Sequence, residues 1–437
     1  MKPLFKNIFF YITIILLAGL ISQCQENHNY KTGNVIFFHP DGTALANWNA
    51  IRVLYYGPDG ELNWDRLPQI GLYQGHTSNT LTSSSEGGAT IHAYGVKVSM
   101  LSYGMDGTKP LTSRSGSNLS IMMEAKSKGI NIGIINSGKI VEPGTGVFVA
   151  SDLSRANEDA ISKKIIESGA DLIFSGGEEN LLPDGVEGKY GPGKRKDGIN
   201  VIELAKQIGY KVIYTREELL SIPDETEKVL GIFALSHTFN DKSEEELNAL
   251  GLKNYQPESP TLAEMTDAAI KFLSGKNGNF FLVVEEEGTD NFGNANNANG
   301  YFEALKRADD AIGIALNYYS KNPNTLIITA ADSEAGGMEI YGFLEKDMMP
   351  DKPLPEKADN GAPLDGINGT GTLPFVTAKD KFGNQFPFAV AWSTNDDVFG
   401  SVVSRAGGLN SELMKGKIDN TEIYRIMYAT LFGKVLE

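Results

Sequence analysis

Three apolar runs in this chain end on acids: Val35-Ile-Phe-Phe-His-Pro-Asp41-Gly42, Phe280-Phe-Leu-Val-Val-Glu285 continuing to Asp290, and Leu326-Ile-Ile-Thr-Ala-Ala-Asp332. Short apolar runs closed by Pro, Gly or charge read as buried strands of a parallel sheet opening into loops. Loops at the carboxyl ends of such strands are where α/β proteins place their chemistry. Asp41, Glu285, Asp290 and Asp332 on one sheet edge would form a multi-carboxylate site for divalent cations. A fourth segment, Ser83-Ser84-Ser85-Glu86-Gly87-Gly88-Ala89-Thr90, adds hydroxyls among small residues. Such a loop lets backbone approach a ligand and lets a helix N-terminus face an anion. A serine there becomes a nucleophile if something lowers its pKa. No histidine has the spacing of a serine-hydrolase relay and there is no G-x-S-x-G elbow, which leaves a metal as the activator.

The elements that must position these residues alternate along the chain. Residues 121–128 read as helix before a strand over 131–136, and 160–168 as helix before a strand over 171–174. Residues 201–208 are helical before the strand 211–214. Phe302, Leu305, Ala308, Ile312 and Leu316 line one helical face leading into the strand 325–330. This alternation predicts an α/β fold, a large mostly parallel central sheet with helices on both faces. Residues 345–384 are richer in Pro, Gly, Asp and Lys and read as a loop-rich or lid-like insertion within a single domain spanning 34–437.

With 437 residues, 41% hydrophobic and 22% charged, the composition is globular. The net charge of −16 argues against a dedicated nucleic-acid partner. A small anionic substrate stays open, because bound cations reverse the local sign. Lys2 and Lys6 precede an apolar stretch that ends near Cys24, the only cysteine. This is the layout of a secretory signal. Residues 1–24 resemble a bacterial lipoprotein signal with Cys24 as the lipidated residue, followed by a polar spacer over 25–33. Gln23 stands where such signals carry a small residue, which leaves plain cleavage or an uncleaved anchor open. The expected location is the periplasm or outer membrane, with membrane contact only through Cys24.

Taken together, these segments resemble the alkaline phosphatase family. Residues Asp41-Gly42 sit where the family has its metal-bridging G-D-G turn. Ser84-Ser85-Glu86-Gly-Gly-Ala-Thr-Ile-His-Ala-Tyr-Gly-Val-Lys97 follows the family's D-S-A-A-S-A-T-A-x-x-x-G-V-K stretch without a gap. That register puts Ser85 at the nucleophile and Ser84 at the preceding Asp. Ser154-Arg155 matches the phosphate-gripping arginine. Val284-Glu285 through Asp290 matches the V-E…D metal segment, Thr329-Ala-Ala-Asp332 matches T-A-D, and Asp419-Asn-Thr-Glu-Ile423 resembles the closing D-N-T-[DE]-I helix.

The resemblance breaks at the metal-binding histidines. The three family positions read Asn294, Ser333 and Asn395 here, and the magnesium-site Thr becomes Gly144, with Thr145 one step away and Glu142 nearby. The resemblance therefore implies an all-oxygen shell of Asp41, Glu285, Asp290, Asn294, Asp332, Ser333, Thr145 and Asn395. Such a shell suits two or three hard cations, magnesium, calcium or manganese, over zinc. Weaker Lewis acidity would make the enzyme gain more from alkaline conditions. His39 and His92 are read as structural hydrogen-bonders, and His237 has no assigned role.

The implied function is an exported metal-dependent phosphomonoesterase that releases phosphate from small phosphate esters, with Ser85 forming a phosphoserine and Arg155 forking two phosphate oxygens. A phosphodiesterase of the same superfamily and a degenerate ligand-binding protein are the alternatives. A sulfatase is excluded by the missing C/S-x-P-x-R motif around Ser85. The family is often dimeric, so a homodimer is an open expectation.

Overall fold

The computed structural model describes residues 30–342 and 349–436. The signal segment 1–24 with Cys24, the spacer up to residue 29, and residues 345–348 of the insertion lie outside the described residues.

Ten strands form the central sheet: β1 Asn34–Pro40, β2 Gln69–Gln74, β3 Asn131–Lys139, β4 Leu172–Gly176, β5 Tyr210–Ile213, β6 Lys228–Ile232, β7 Phe280–Glu286, β8 Thr325–Thr329, β9 Val403–Gly408 and β10 Gly416–Asp419. Their order is β10-β2-β9-β8-β1-β7-β3-β4-β6-β5. All pairings are parallel except those of β9 with β8 and with β2. The expected mostly parallel sheet is what the chain forms.

The runs that are apolar at every position are strands buried on both faces. Along β1, Val35 and Phe37 enter one core while Ile36 and Phe38 enter the other. Along β7, Phe281 and Val283 separate in the same way from Phe280, Leu282 and Val284. Six helices complete the layers that matter here: α1 Leu45–Tyr56, α2 Ser85–Tyr94, α3 Leu262–Ser274, α4 Gly288–Asn294, α5 Ala298–Tyr319 and α6 Thr421–Phe432. The first core is capped by Ala89 and Ile91 of α2 and by Ile423 and Met427 of α6. The second is capped by Ile51 of α1, Ile270 and Leu273 of α3, and Leu305 and Ile312 of α5. Each such aliphatic side chain contributes about 1.5–3 kcal/mol on full burial.

The second core also holds Trp48 and Trp64, stacked with ring centroids 4.6 Å apart and planes 4° from parallel. The Trp64 indole N–H donates to Thr329 Oγ1 of β8 at 3.0 Å, and the Arg405 guanidinium lies 4.4 Å over the Trp64 ring.

Within 345–384, where the sequence reads as loops, lie short strands that pair with the flanking Met338–Tyr341 and Pro387–Trp392 into one sheet. Met338–Tyr341, Pro387–Trp392, Leu364–Gly366 and Gly369–Thr370 build a small antiparallel sheet, and Phe375–Val376 pairs with Pro387–Trp392. Strands of two or three residues are too short for apolar alternation to declare them. This sheet docks on α5, where Phe302 meets Phe375 at 5.0 Å and Phe388 at 6.4 Å. At the same seam the Trp392 indole donates to Asp365 Oδ2 at 2.6 Å. Glu244 is buried beside them, accepting from the Asn299 N–H at 3.0 Å.

Burial, reinforced by the charge of Asp365, pushes the Glu244 carboxyl up to about 8. A carboxyl raised on folding adds stability below its unfolded pKa of 4.5 and loses it as pH climbs through about 8. Glu244→Gln keeps the acceptor for Asn299 and removes the charge. Thermal melts should therefore show the variant gaining on wild type by a few kcal/mol at about pH 9 and gaining next to nothing at about pH 4. Parallel melting curves at both pH values would refute this.

Candidate active site

β8, β1 and β7 adjoin in the sheet and run the same way, so their carboxyl ends deliver acids to one place. The Asp41 N–H donates to the Glu286 carbonyl at 3.2 Å, prolonging β1–β7 pairing past Pro40. The register sets His39 beside Glu285, and Glu285 beside Asn136 of β3. Strand alternation puts these three on the face that carries Phe37, Val283 and Ile134. Just after β7, α4 presents Asp290 and Asn294 one turn apart, and the Asn294 amide donates to Asp290 Oδ1 at 3.1 Å. Asp332 and Ser333 follow β8, with Ser333 Oγ 3.4 Å from Asp332 Oδ1.

Ser84 caps α2, its hydroxyl accepting from the Gly87 N–H at 3.4 Å. Ser85 is thereby the first residue of the helix, and its side chain lies beside the Asp41 carboxylate. The close approach depends on Gly88: a Cβ there would stand 2.2 Å from Asp332 Cβ.

Thr145 joins the cluster at one remove. The Asn136 amide donates to Thr145 Oγ1 at 2.9 Å and also to Glu285 Oε2. Gly144, where the resemblance puts a Thr, has no room for a side chain, since a Cβ would fall 1.9 Å from Glu285 Oε1. Arg155 bridges two acids, Nη1 donating to Glu86 Oε2 at 2.9 Å and Nη2 to Glu142 Oε2 at 3.2 Å. Its side chain stays 43% exposed, so the guanidinium reaches solvent as well.

Asp41, Ser85, Glu285, Asp290, Asn294, Asp332, Ser333 and Thr145 thus converge, with Arg155 alongside. Asn395 does not. It is exposed, and its amide donates outward to the Asn294 carbonyl at 3.2 Å. Asp397 takes the inner place instead, accepting from the Asn294 amide at 3.2 Å. The two-residue strand Asp397–Val398 pairs with Glu334–Ala335 and aims it there. The signal was present in the sequence: Phe388–Trp392 is one more apolar run followed by acids. His39 also belongs to the cluster, since donor atoms of His39, Asp41 and Glu285 all lie within 4.8 Å of one another. The expected absence of imidazole at the centre therefore does not describe the structure. His92 belongs to α2, and its Nε2 lies 2.7 Å from the Tyr73 hydroxyl. His237 stacks on Phe239 at 4.7 Å, apart from this group.

Crowded acids resist ionisation. Burial, and then the charges of Asp397 and Asp41, hold the Asp290 carboxyl well above the usual range. Burial and Asp41 do the same to Asp332. Burial pushes Glu285 up to about 8, with Asp41 and Glu142 adding to it, and it raises Glu287 with help from Glu142 and Glu285. Asp41 is the exception: burial opposes its charge, but the neighbouring His39 holds it below the carboxylate range. Several acceptors have no hydrogen-bond partner among the described residues: Asp41 Oδ2, Glu285 Oε1, Glu287 Oε2, Asn294 Oδ1, Asp332 Oδ2 and His39 Nε2. Unpaired buried oxygens carry a large desolvation cost unless something binds them. These donors fit divalent cations.

The family model for alkaline phosphatases matches residues 32–432. The membrane-bound alkaline phosphatase of Bombyx mori is 25% identical, across 92% of this chain and 80% of that protein. Alkaline phosphatase 3 of Bacillus subtilis is 24% identical, across 95% and 94%. Among solved structures, the alkaline phosphatase from the Antarctic bacterium TAB5 superposes with a TM-score of 0.69 at 24% identity, covering 92% of this chain and all of that one. The Thermus thermophilus alkaline phosphatase gives 0.70 at 20% identity, covering 93% of each.

Gly144→Ala should displace Glu285 and weaken cation binding. A cation held at a hundred times its Kd stabilises the fold by about 2.7 kcal/mol. The rise in Tm on adding manganese or magnesium should shrink in Gly144→Ala and persist in Gly342→Ala, where a Cβ meets nothing within 4 Å. An undiminished rise in Gly144→Ala would contradict this account of the glycine.

Proposed function

The chain belongs to the alkaline phosphatase family, and from that membership we propose that it is an exported, metal-dependent phosphomonoesterase acting through a phosphoserine at Ser85. The observation that carries the proposal is the place of Ser85, at a helix N-terminus beside Asp41, amid unpartnered acid oxygens and followed by the Glu86 that holds Arg155.

The chain's own groups have clear parts to play. Arg155 spends two of its five N–H donors on Glu86 and Glu142, leaving the others for the non-bridging oxygens of a phosphate ester. Glu86 and Glu142 fix the plane of the guanidinium, so less freedom is lost when substrate arrives. Ser85 Oγ attacks phosphorus in line while the ester oxygen departs as alcohol. Water then cleaves the phosphoserine, returning Ser85 and inorganic phosphate. Cations bound by Asp41, Glu285, Asp290, Asn294 and Asp332 would supply Lewis acidity and the positive charge that lets these acids ionise. The mostly oxygen donor set supports magnesium, calcium or manganese over zinc at the positions built on Asp290, Asn294 and Asp332.

Among the described residues no helix is long and apolar enough to cross a membrane. The lipoprotein-like layout of residues 1–24 is what supports an anchor through a lipid on Cys24, and Cys24→Ala should move the protein from the membrane to the soluble fraction in cell fractionation. Unchanged partitioning would remove the lipid anchor from the proposal.

The direct test is p-nitrophenyl phosphate hydrolysis after chelation, with single ions added back across neutral to alkaline pH. Activity should return with magnesium, calcium or manganese. Ser85→Ala should lower kcat by about 10⁴-fold and abolish the acid-trapped phosphoenzyme seen by intact mass. Arg155→Ala should cost about 10- to 100-fold in kcat/KM, the worth of a charge-assisted hydrogen bond or two. Turnover that survives in Ser85→Ala, or a preference for diesters over monoesters, would overturn the assignment.

A further inference from the structure

We infer that His39 supplies an imidazole nitrogen to a cation shared with Asp41 and Glu285, so that the centre is a mixed nitrogen–oxygen site and not an all-oxygen one. This rests on the metal-dependent reading above and assigns a ligand that the family resemblance does not.

Register places the residue. Parallel pairing sets His39 on β1 level with Glu285 on β7, and both side chains rise from the same face of the sheet. Phe37 packs near the ring at 5.9 Å between centroids, and His92 closes on it edge-on at 5.6 Å, so the imidazole has a fixed seat. All three donors are buried.

Hydrogen bonding then fixes the ring chemistry. His39 Nδ1 lies 3.0 Å from the Ala330 carbonyl, which can only accept. Nδ1 therefore carries the hydrogen, and in the neutral ring Nε2 keeps the lone pair. A ligating histidine typically donates its other N–H to such a carbonyl, which holds both tautomer and ring orientation. Ala330 sits just past β8, so the strand that leads to Asp332 also orients this ring.

Distance separates a ligand from an ion pair. His39 Nε2 lies 3.4 Å from Asp41 Oδ1 and has no hydrogen-bond partner among the described residues. A charge-assisted N–H···O bond would close to about 2.7–2.9 Å. Two donors at about 2.1 Å from one tetrahedral ion stand about 3.4 Å from each other. Oxygen alone favours hard ions such as magnesium, calcium and manganese, whereas a site with one imidazole also accepts cobalt and zinc. Asp41 would then serve the ion near His39 with one oxygen while its second, Oδ2, stays available on the Ser85 side.

Manganese provides a readout independent of turnover. The mature chain would be chelated, loaded with manganese and examined by electron spin-echo envelope modulation, with bound metal counted in the same sample. Directly coupled ¹⁴N should appear and should convert to the ¹⁵N pattern when only histidine is ¹⁵N-labelled, a test that needs no variant. His39→Asn keeps an N–H for Ala330 and removes Nε2. It should lose the coupling and weaken one manganese equivalent by about tenfold or more. Manganese bound without histidine coupling, or with coupling intact in His39→Asn, overturns the assignment of His39 alone. A wild-type chain that binds no manganese overturns both this assignment and the metal-dependent reading beneath it.

Discussion

Acids buried side by side repel one another, and in this protein the fold imposes that repulsion. Asp41, Glu285 and Asp332 follow strands whose preceding residues fill the two cores, so no acid can retreat without unpacking a strand. Asp290 is fixed by α4 and faces Asp397, whose charge reinforces the effect of burial on it. The Arg155 guanidinium, held by Glu86 and Glu142, is one positive charge against this group. The imbalance is the electrostatic reason for a cation centre. It also explains how a chain of net charge −16 can draw in an anionic ester, since bound cations reverse the sign only where the substrate must sit.

How much of this was legible in the sequence depended on the length scale of each signal. The strand ends bearing Asp41, Glu285 and Asp332 could be read because a buried parallel strand is apolar at every position and then stops. The stripe on α5 could be read because 3.6-residue periodicity persists over 22 residues. The insertion's strands had no such length, and its small sheet went unread. Position in the chain does not separate Asn395 from Asp397, since which of them faces inward comes from the pairing of Asp397–Val398 with Glu334–Ala335. His39 was set aside because position in a motif says nothing of a neighbouring strand. The β1–β7 register that brings it level with Glu285 is a long-range property.

Two substitutions show how a site keeps its geometry while its residues change. Ser84 stands where the resemblance has an acid, and it caps α2; the neighbouring Glu86 is the acid that holds Arg155. Gly144 stands where the resemblance has a hydroxyl, and Thr145 meets Glu285 through Asn136. The side chain of the matching type stands two residues on in the first case and one residue on in the second. Local backbone shape decides which neighbour faces inward.

The buried indole pair gives the molecule an optical signature of its own. Two parallel chromophores 4.6 Å apart couple their transitions, and the chain's third tryptophan, Trp392, lies in the insertion sheet. Trp64 is tied to Thr329, three residues before Asp332 on the same chain segment. Near-ultraviolet circular dichroism would therefore register small shifts of β8 as the centre fills, with no label and no substrate added.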